Sequence, residues 1–96
     1  NIIGAHTGWP WTEEMISLAW KHENVYLGID AHNPKYLEPT LVHFMKTRGQ
    51  NKVIWGTNYP AVMHQEAIQT IRNDLGLSEK VANKVLHDNA ARIYKI

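Results

Sequence analysis

The chain contains no cysteine, so it can form neither a disulfide nor a thiolate metal site. That absence leans towards a reducing compartment, and the cytoplasm is the expected location. No apolar run approaches the roughly 18 residues that a membrane span needs, and the first residues do not read as a signal peptide. Charge of one sign is also missing: ten Lys and Arg stand against nine Asp and Glu, for a net charge of +1. These cations are scattered, without the basic stripe of a nucleic-acid binder. There is no glycine-rich phosphate loop, no Gly-x-Ser-x-Gly elbow, and no histidine pair at the i, i+4 spacing of a helical zinc motif. What remains is 44% apolar and 20% charged, an ordinary globular balance over 96 residues. Function has to be read from position.

Position is informative. Three apolar, strand-like runs each end in special polar residues. Asn1-Ile2-Ile3-Gly4-Ala5 leads into His6-Thr7-Gly8, and Val25-Tyr26-Leu27-Gly28-Ile29 leads into Asp30-Ala31-His32. Lys52-Val53-Ile54-Trp55-Gly56 leads into Thr57-Asn58-Tyr59-Pro60. Each run is followed by residues with helical periodicity, the pattern of a β/α barrel or another parallel α/β protein. In such folds ligands and catalytic groups sit beyond the carboxyl ends of the strands. If the strands are parallel neighbours, His6, Asp30, His32 and Asn58 share one rim.

The helical segments follow the same logic. Thr12 is an expected N-cap, with Glu13 and Glu14 in the first turn and Met15, Ile16, Leu18, Ala19 and Trp20 forming an apolar stripe to about Lys21. Pro39 suits the first turn of a second helix, with Leu41, Phe44 and Met45 inward and Gly49 closing it. A third helix is expected over 64–75 with Gly76 beyond it. Ser78 should cap a fourth, and Asp88 or Asn89 a short last turn through Ile93. The strands start near residues 2, 25 and 53, close to the period of about 30 residues in a barrel of eight units and ~250 residues. Three parallel strands cannot close a barrel and leave two edges open. The chain opens directly on a strand, so it is expected to be part of a larger protein; a complete small domain with a processed start is the alternative.

Four stretches carry a resemblance: Ile3-Gly4-Ala5-His6-Thr7-Gly8, Asn24-Val25-Tyr26-Leu27, Ile54-Trp55-Gly56-Thr57-Asn58-Tyr59-Pro60 and Asn89-Ala90-Ala91-Arg92-Ile93-Tyr94. In this order they resemble the C-terminal part of the amidohydrolase-related metal-dependent hydrolases, the group that includes aminocarboxymuconate semialdehyde decarboxylase. The resemblance implies an α/β fold in which residues 1–96 are the C-terminal three βα units of a (β/α)8 TIM barrel, parallel strands with covering helices. It implies a divalent metal, usually zinc, held by a His-x-His or Glu-x-His on the first strand and a histidine on the fifth; none of these lies in this chain. His6 matches the sixth-strand histidine that activates metal-bound water or polarises the substrate. Asn58 matches an eighth-strand position that is usually aspartate. An asparagine amide cannot act as a base, though its carbonyl can coordinate or accept a hydrogen bond.

The expected catalytic residues are therefore His6 and Asn58, the first because histidine moves protons near neutral pH. Each also has a plainer role, as a loop hydrogen bond for His6 and as a turn residue for Asn58. Asp30 and His32, two apart, point the same way if the segment is extended; together they contact a metal or the substrate, or else Asp30 caps a turn and His32 meets solvent. Trp9, Trp11 and Tyr59 on rim loops are candidates to line an aromatic pocket. Trp20 and Trp55 are expected in the core. His22, His43, His64 and His87 read as surface residues away from the rim, Asn89 as an N-cap, and Arg92 as a surface or ion-pairing residue. The expected partner is a small carboxylated or cyclic substrate, hydrolysed or decarboxylated, with no nucleic acid and no membrane; homo-oligomerisation stays open. A catalytically inactive barrel fragment, acting as a binding or assembly module, is the alternative that Asn58 raises.

Overall fold

The computed structural model describes residues 1–96. Strands β1 (Ile2–Gly4), β2 (Val25–Gly28) and β3 (Val53–Ile54) form one parallel sheet in the order β1-β2-β3. Ile3 pairs with Tyr26 and Leu27 with Val53. Backbone bonds from Leu27 N–H to the Lys52 carbonyl (3.0 Å) and from Ile29 N–H to the Ile54 carbonyl (2.9 Å) hold β2 to β3. The strands are shorter than the apolar runs that contain them, with one or two residues between each strand's end and the polar residues that follow.

Helix α1 (Thr12–Lys21) follows β1, α2 (Pro39–Lys46) follows β2, and α3 (His64–Asn73) follows β3. Their apolar stripes meet one face of the sheet. Leu27, Ile29 and Val53 meet Ala19, Leu41 and Met45 there, each at most 1% exposed. Burial of each large aliphatic side chain contributes about 1.5–3 kcal/mol. Val25, Leu27 and Ile29 alternate along β2 and so share this covered face. Pro39 opens α2 as its sequence requires, and the Gly49 N–H closes that end on the Phe44 carbonyl at 2.7 Å. Helix α3 stops at Asn73, two residues short of expectation, and Gly76 follows in the left-handed region at φ 74°.

The tail departs from the sequence reading. Ser78 does cap α4 (Glu79–Asn83), its Oγ accepting the Val81 N–H at 3.2 Å. From there the chain runs on through a π-helical stretch (Lys84–Asp88) into α5 (Asn89–Tyr94) with helical dihedrals at Asp88 and Asn89. Neither Asp88 nor Asn89 caps a helix end. The Leu86 carbonyl, within the wider π turn, accepts the Trp55 indole N–H at 2.7 Å. Asn89 is fully buried, and its amide donates to the Gln50 and Val53 carbonyls, both at 2.9 Å. A polar side chain read as a helix cap is instead the tie between the last helix and β3. Arg92 makes no ion pair; its guanidinium donates to the Asn51 carbonyl and to Asn89 Oδ1.

Trp20 is the other correction. It is 63% exposed, with the Arg48 guanidinium 6.0 Å above its ring, because Met15, Ile16 and Ala19 already occupy the inward stripe of α1. Trp55 packs against the core as expected. At the amino ends of the strands, Lys52 Nζ donates to the carbonyls of His22, Glu23 and Val25 at 2.9–3.1 Å and lies 4.8 Å over the Tyr26 ring. Burial lowers its pKa below the ordinary lysine value, with Glu23 opposing and Arg92 adding to the shift. Three acceptors for three protons keep it a cation.

Asn89→Ala is expected to lower the unfolding free energy by about 2–4 kcal/mol, since two buried carbonyls lose their donor and a void opens. Denaturant titration of the variant measures it; a loss below half a kilocalorie would show that Asn89 is not a tie.

Candidate active site

The polar residues that end the three runs are carried on turns of one kind. Beyond β1, His6, Thr7 and Gly8 are all left-handed, at φ 55°, 57° and 75°. Beyond β2 the left-handed residue is Ala31 (φ 66°), and beyond β3 it is Asn58 (φ 51°). Non-glycine residues visit this region at a cost of about 1–2 kcal/mol each, so the surroundings have to hold them. Strain is gathered at the carboxyl rim of the sheet.

Asp30 is what holds the first turn. Its Oδ1 accepts the His6 backbone N–H at 3.0 Å, and its Oδ2 lies 2.8 Å from His6 Nδ1. One carboxylate therefore fixes both the backbone and the ring of the histidine across two adjacent strands. Gly28 makes room for it: a Cβ there would come within 2.9 Å of Asp30 Oδ1. A neutral His6 that donates Nδ1–H to the carboxylate keeps its Nε2 lone pair, and the His6 side chain remains about half exposed (55%). The pair is an oriented imidazole within reach of solvent.

Beneath His6 the turn is anchored by hydroxyls. Thr7, 3% exposed, sets its Oγ1 3.4 Å from Thr12 Oγ1, and Thr12, 1% exposed, donates to Glu38 Oε1 at 3.0 Å. Thr12 was expected to cap α1; it is the first helical residue and faces α2 instead. Gly8 completes the turn, since a Cβ there would meet Met15 Cβ at 2.6 Å.

Of the seven expected site residues, His6 and Asp30 are joined directly, while Trp11 is exposed. Trp9 and His32 line one small cavity of about 150 Å³ with Tyr36, Leu37 and Glu38. Asp30 and His32 do not point together, because Ala31 breaks the extended path that would align them. Asp30 turns to His6 and to a trough of about 380 Å³ along the sheet, lined by Ile3, Gly28, Ile54 and Tyr94 among others. Asn58 stands apart and exposed; its backbone carbonyl accepts the Ala61 N–H at 2.9 Å. Tyr59 stacks on His64 with ring centroids 5.4 Å apart, and His64 meets Trp55 edge-on at 6.0 Å. His64, read as remote from the rim, thus belongs to the third turn, because α3 begins on it.

The His6–Asp30 pair sits at the end of the strands where parallel α/β proteins do chemistry. The sequence model of the amidohydrolases matches residues 1–96. The chain belongs to the amidohydrolase family. No curated protein and no solved structure matches it. Amidohydrolases generally work with divalent metals, but this amidohydrolase chain gathers no group of three His, Asp or Glu side chains that holds one. Its two best donors, His6 Nδ1 and the Asp30 carboxylate, are turned on each other. The residues present do not make a metal centre. The membership carries a hydrolase-type enzyme, and no helix is long and apolar enough to cross a membrane.

Thr7, Thr12, Glu38 and His64 carried no sequence signal as site residues. Threonine before a helix and glutamate before Pro39 are ordinary boundary residues, and only folding sets them side by side.

Gly8→Ala is expected to destabilise the protein by about 1–3 kcal/mol, through the left-handed φ and the collision with Met15. Thermal unfolding checks it; an unchanged midpoint would show that the turn relaxes freely.

Proposed function

We propose that residues 1–96 are the C-terminal three βα units of a (β/α)8 barrel and that their carboxyl rim supplies the proton-transfer half of a hydrolase active site. The observation that carries this reading is the two-point contact between His6 and Asp30. The resemblance to the aminocarboxymuconate semialdehyde decarboxylase group supports a small carboxylated or cyclic substrate, hydrolysed or decarboxylated. The open edges of β1 and β3 support further strands on both sides. The metal ligands of the family, for zinc or another divalent ion, then lie on those strands.

In this reading Asp30 holds the His6 ring as the Nδ1–H tautomer, so Nε2 is the acceptor. In the hydrolytic reaction Nε2 takes the proton from the attacking water as its oxygen bonds to the substrate carbon. The imidazolium that forms is stabilised by the Asp30 carboxylate, and the same proton passes to the leaving group as its bond breaks. Trp9 and His32 line the side of the rim where a ring substrate packs, and Tyr59 flanks the other. Asn58 contributes a carbonyl or amide hydrogen bond to the substrate, because it carries no proton that can be lost.

In the full-length protein, His6→Ala is expected to lower turnover about 100-fold or more, and Asp30→Asn to lower it as well by releasing the tautomer. Turnover of the His6 variant within a factor of three of the wild type, measured with a panel of cyclic and aromatic acids, would remove His6 from the chemistry.

A second reading is favoured by one residue. If Asn58 marks lost catalysis, the barrel is an inactive binding module. Asn58→Asp tests this, since aspartate tolerates the left-handed backbone as asparagine does. Gain of turnover by the variant over an inert wild type supports the module; a fall from an active wild type supports the enzyme.

A further inference from the structure

Two helix-start residues in this chain do not serve their own helices. Thr12 opens α1 and Glu38 precedes α2, yet neither side chain caps a backbone N–H. Such caps are worth about 0.5–2 kcal/mol each. The two side chains bond each other instead, Thr12 Oγ1 donating to Glu38 Oε1 at 3.0 Å. Because the Thr12 proton goes to the carboxylate, the Thr7 hydroxyl is the donor in the longer 3.4 Å contact with Thr12 Oγ1. The order is fixed from Thr7 through Thr12 to Glu38.

This chain of hydroxyls ends on the residue next to His6. Thr7 is a buried, β-branched residue at φ 57°, a conformation that nothing in its own side chain favours. A threonine that relaxed to the ordinary backbone region would swing the peptide shared with His6. His6 N–H would then leave Asp30 Oδ1, and the ring would leave Oδ2. Glu38 has no Lys, Arg or His within ion-pairing distance, so the Thr12 hydroxyl is its polar contact inside the fold.

We propose that Thr12 and Glu38 are positioning residues for His6, acting through the left-handed Thr7 to keep the imidazole in its single tautomer on Asp30. The proposal rests on the reading of His6 as the proton acceptor for its consequence, and on geometry alone for the positioning. It predicts that the shape of the histidine turn is set by the neighbouring βα unit, from a residue that does not touch His6.

The test follows the ring directly. In full-length protein labelled with ¹⁵N-histidine, the His6 signals are assigned by their loss in His6→Ala. The wild type should show one Nδ1–H tautomer. Thr12→Val keeps the volume but removes the donor, and should collapse the ¹⁵N shift difference between the two ring nitrogens by half or more. Thr12→Ser should restore the wild-type pattern, and Glu38→Gln, which leaves the helix boundary intact should Thr12→Val fail to fold, should produce an intermediate one. A variant that folds with the His6 nitrogens unmoved overturns the proposal. Turnover separates the two readings: if His6→Ala leaves activity intact while Thr12→Val still moves the ring nitrogens, the positioning stands and the catalytic reading fails. If both stand, Thr12→Val lowers kcat by about tenfold with KM little changed, the mark of lost orientation.

Discussion

The Asp30 carboxylate is the contact on which the rim depends. One oxygen receives the His6 backbone N–H and the other receives the His6 ring, so a single side chain ties the ends of two parallel strands. A charged acceptor makes hydrogen bonds about twice as strong as a neutral one. That strength opposes three consecutive left-handed residues, two of which have side chains that disfavour the conformation. Without it the turn is left to the buried hydroxyls of Thr7 and Thr12, and the imidazole has no preferred tautomer.

The rest of the chain makes that contact possible. The apolar face packs Leu27, Ile29 and Val53 against α1 and α2, which sets β2 beside β1 in register and brings residues 6 and 30 together across 24 positions of sequence. Gly28 leaves the space into which the carboxylate turns. At the other end of the strands Lys52 gathers three carbonyls, and Asn89 binds the final helix to the segment that precedes β3. The two ends differ: the amino end is tied by internal hydrogen bonds, while the carboxyl end carries a half-exposed histidine side chain.

Amidohydrolase membership and the local geometry bear on different questions. Membership gives the hydrolase class over residues 1–96. The geometry gives a histidine held at two points by a carboxylate but no three-donor metal group. The His6–Asp30 pair is assembled by the ends of two neighbouring strands alone.

The sequence alone determined the order of strands and helices, the parallel arrangement, the inward stripe of α2, the Ser78 cap and the candidacy of His6, because these follow from local periodicity and short-range chemistry. It also placed Asp30 on the same rim. It did not determine that Asp30 would take His6 rather than align with His32, since that turns on the left-handed Ala31 and on the space above Gly28. Nor did it show Asn89 as a buried tie, Trp20 as a surface residue, or Thr12 and Glu38 as partners. Each of those depends on what stands across from the side chain. A residue capable of capping a helix end is the same residue when it bonds a neighbouring helix, and only the tertiary structure decides between the two.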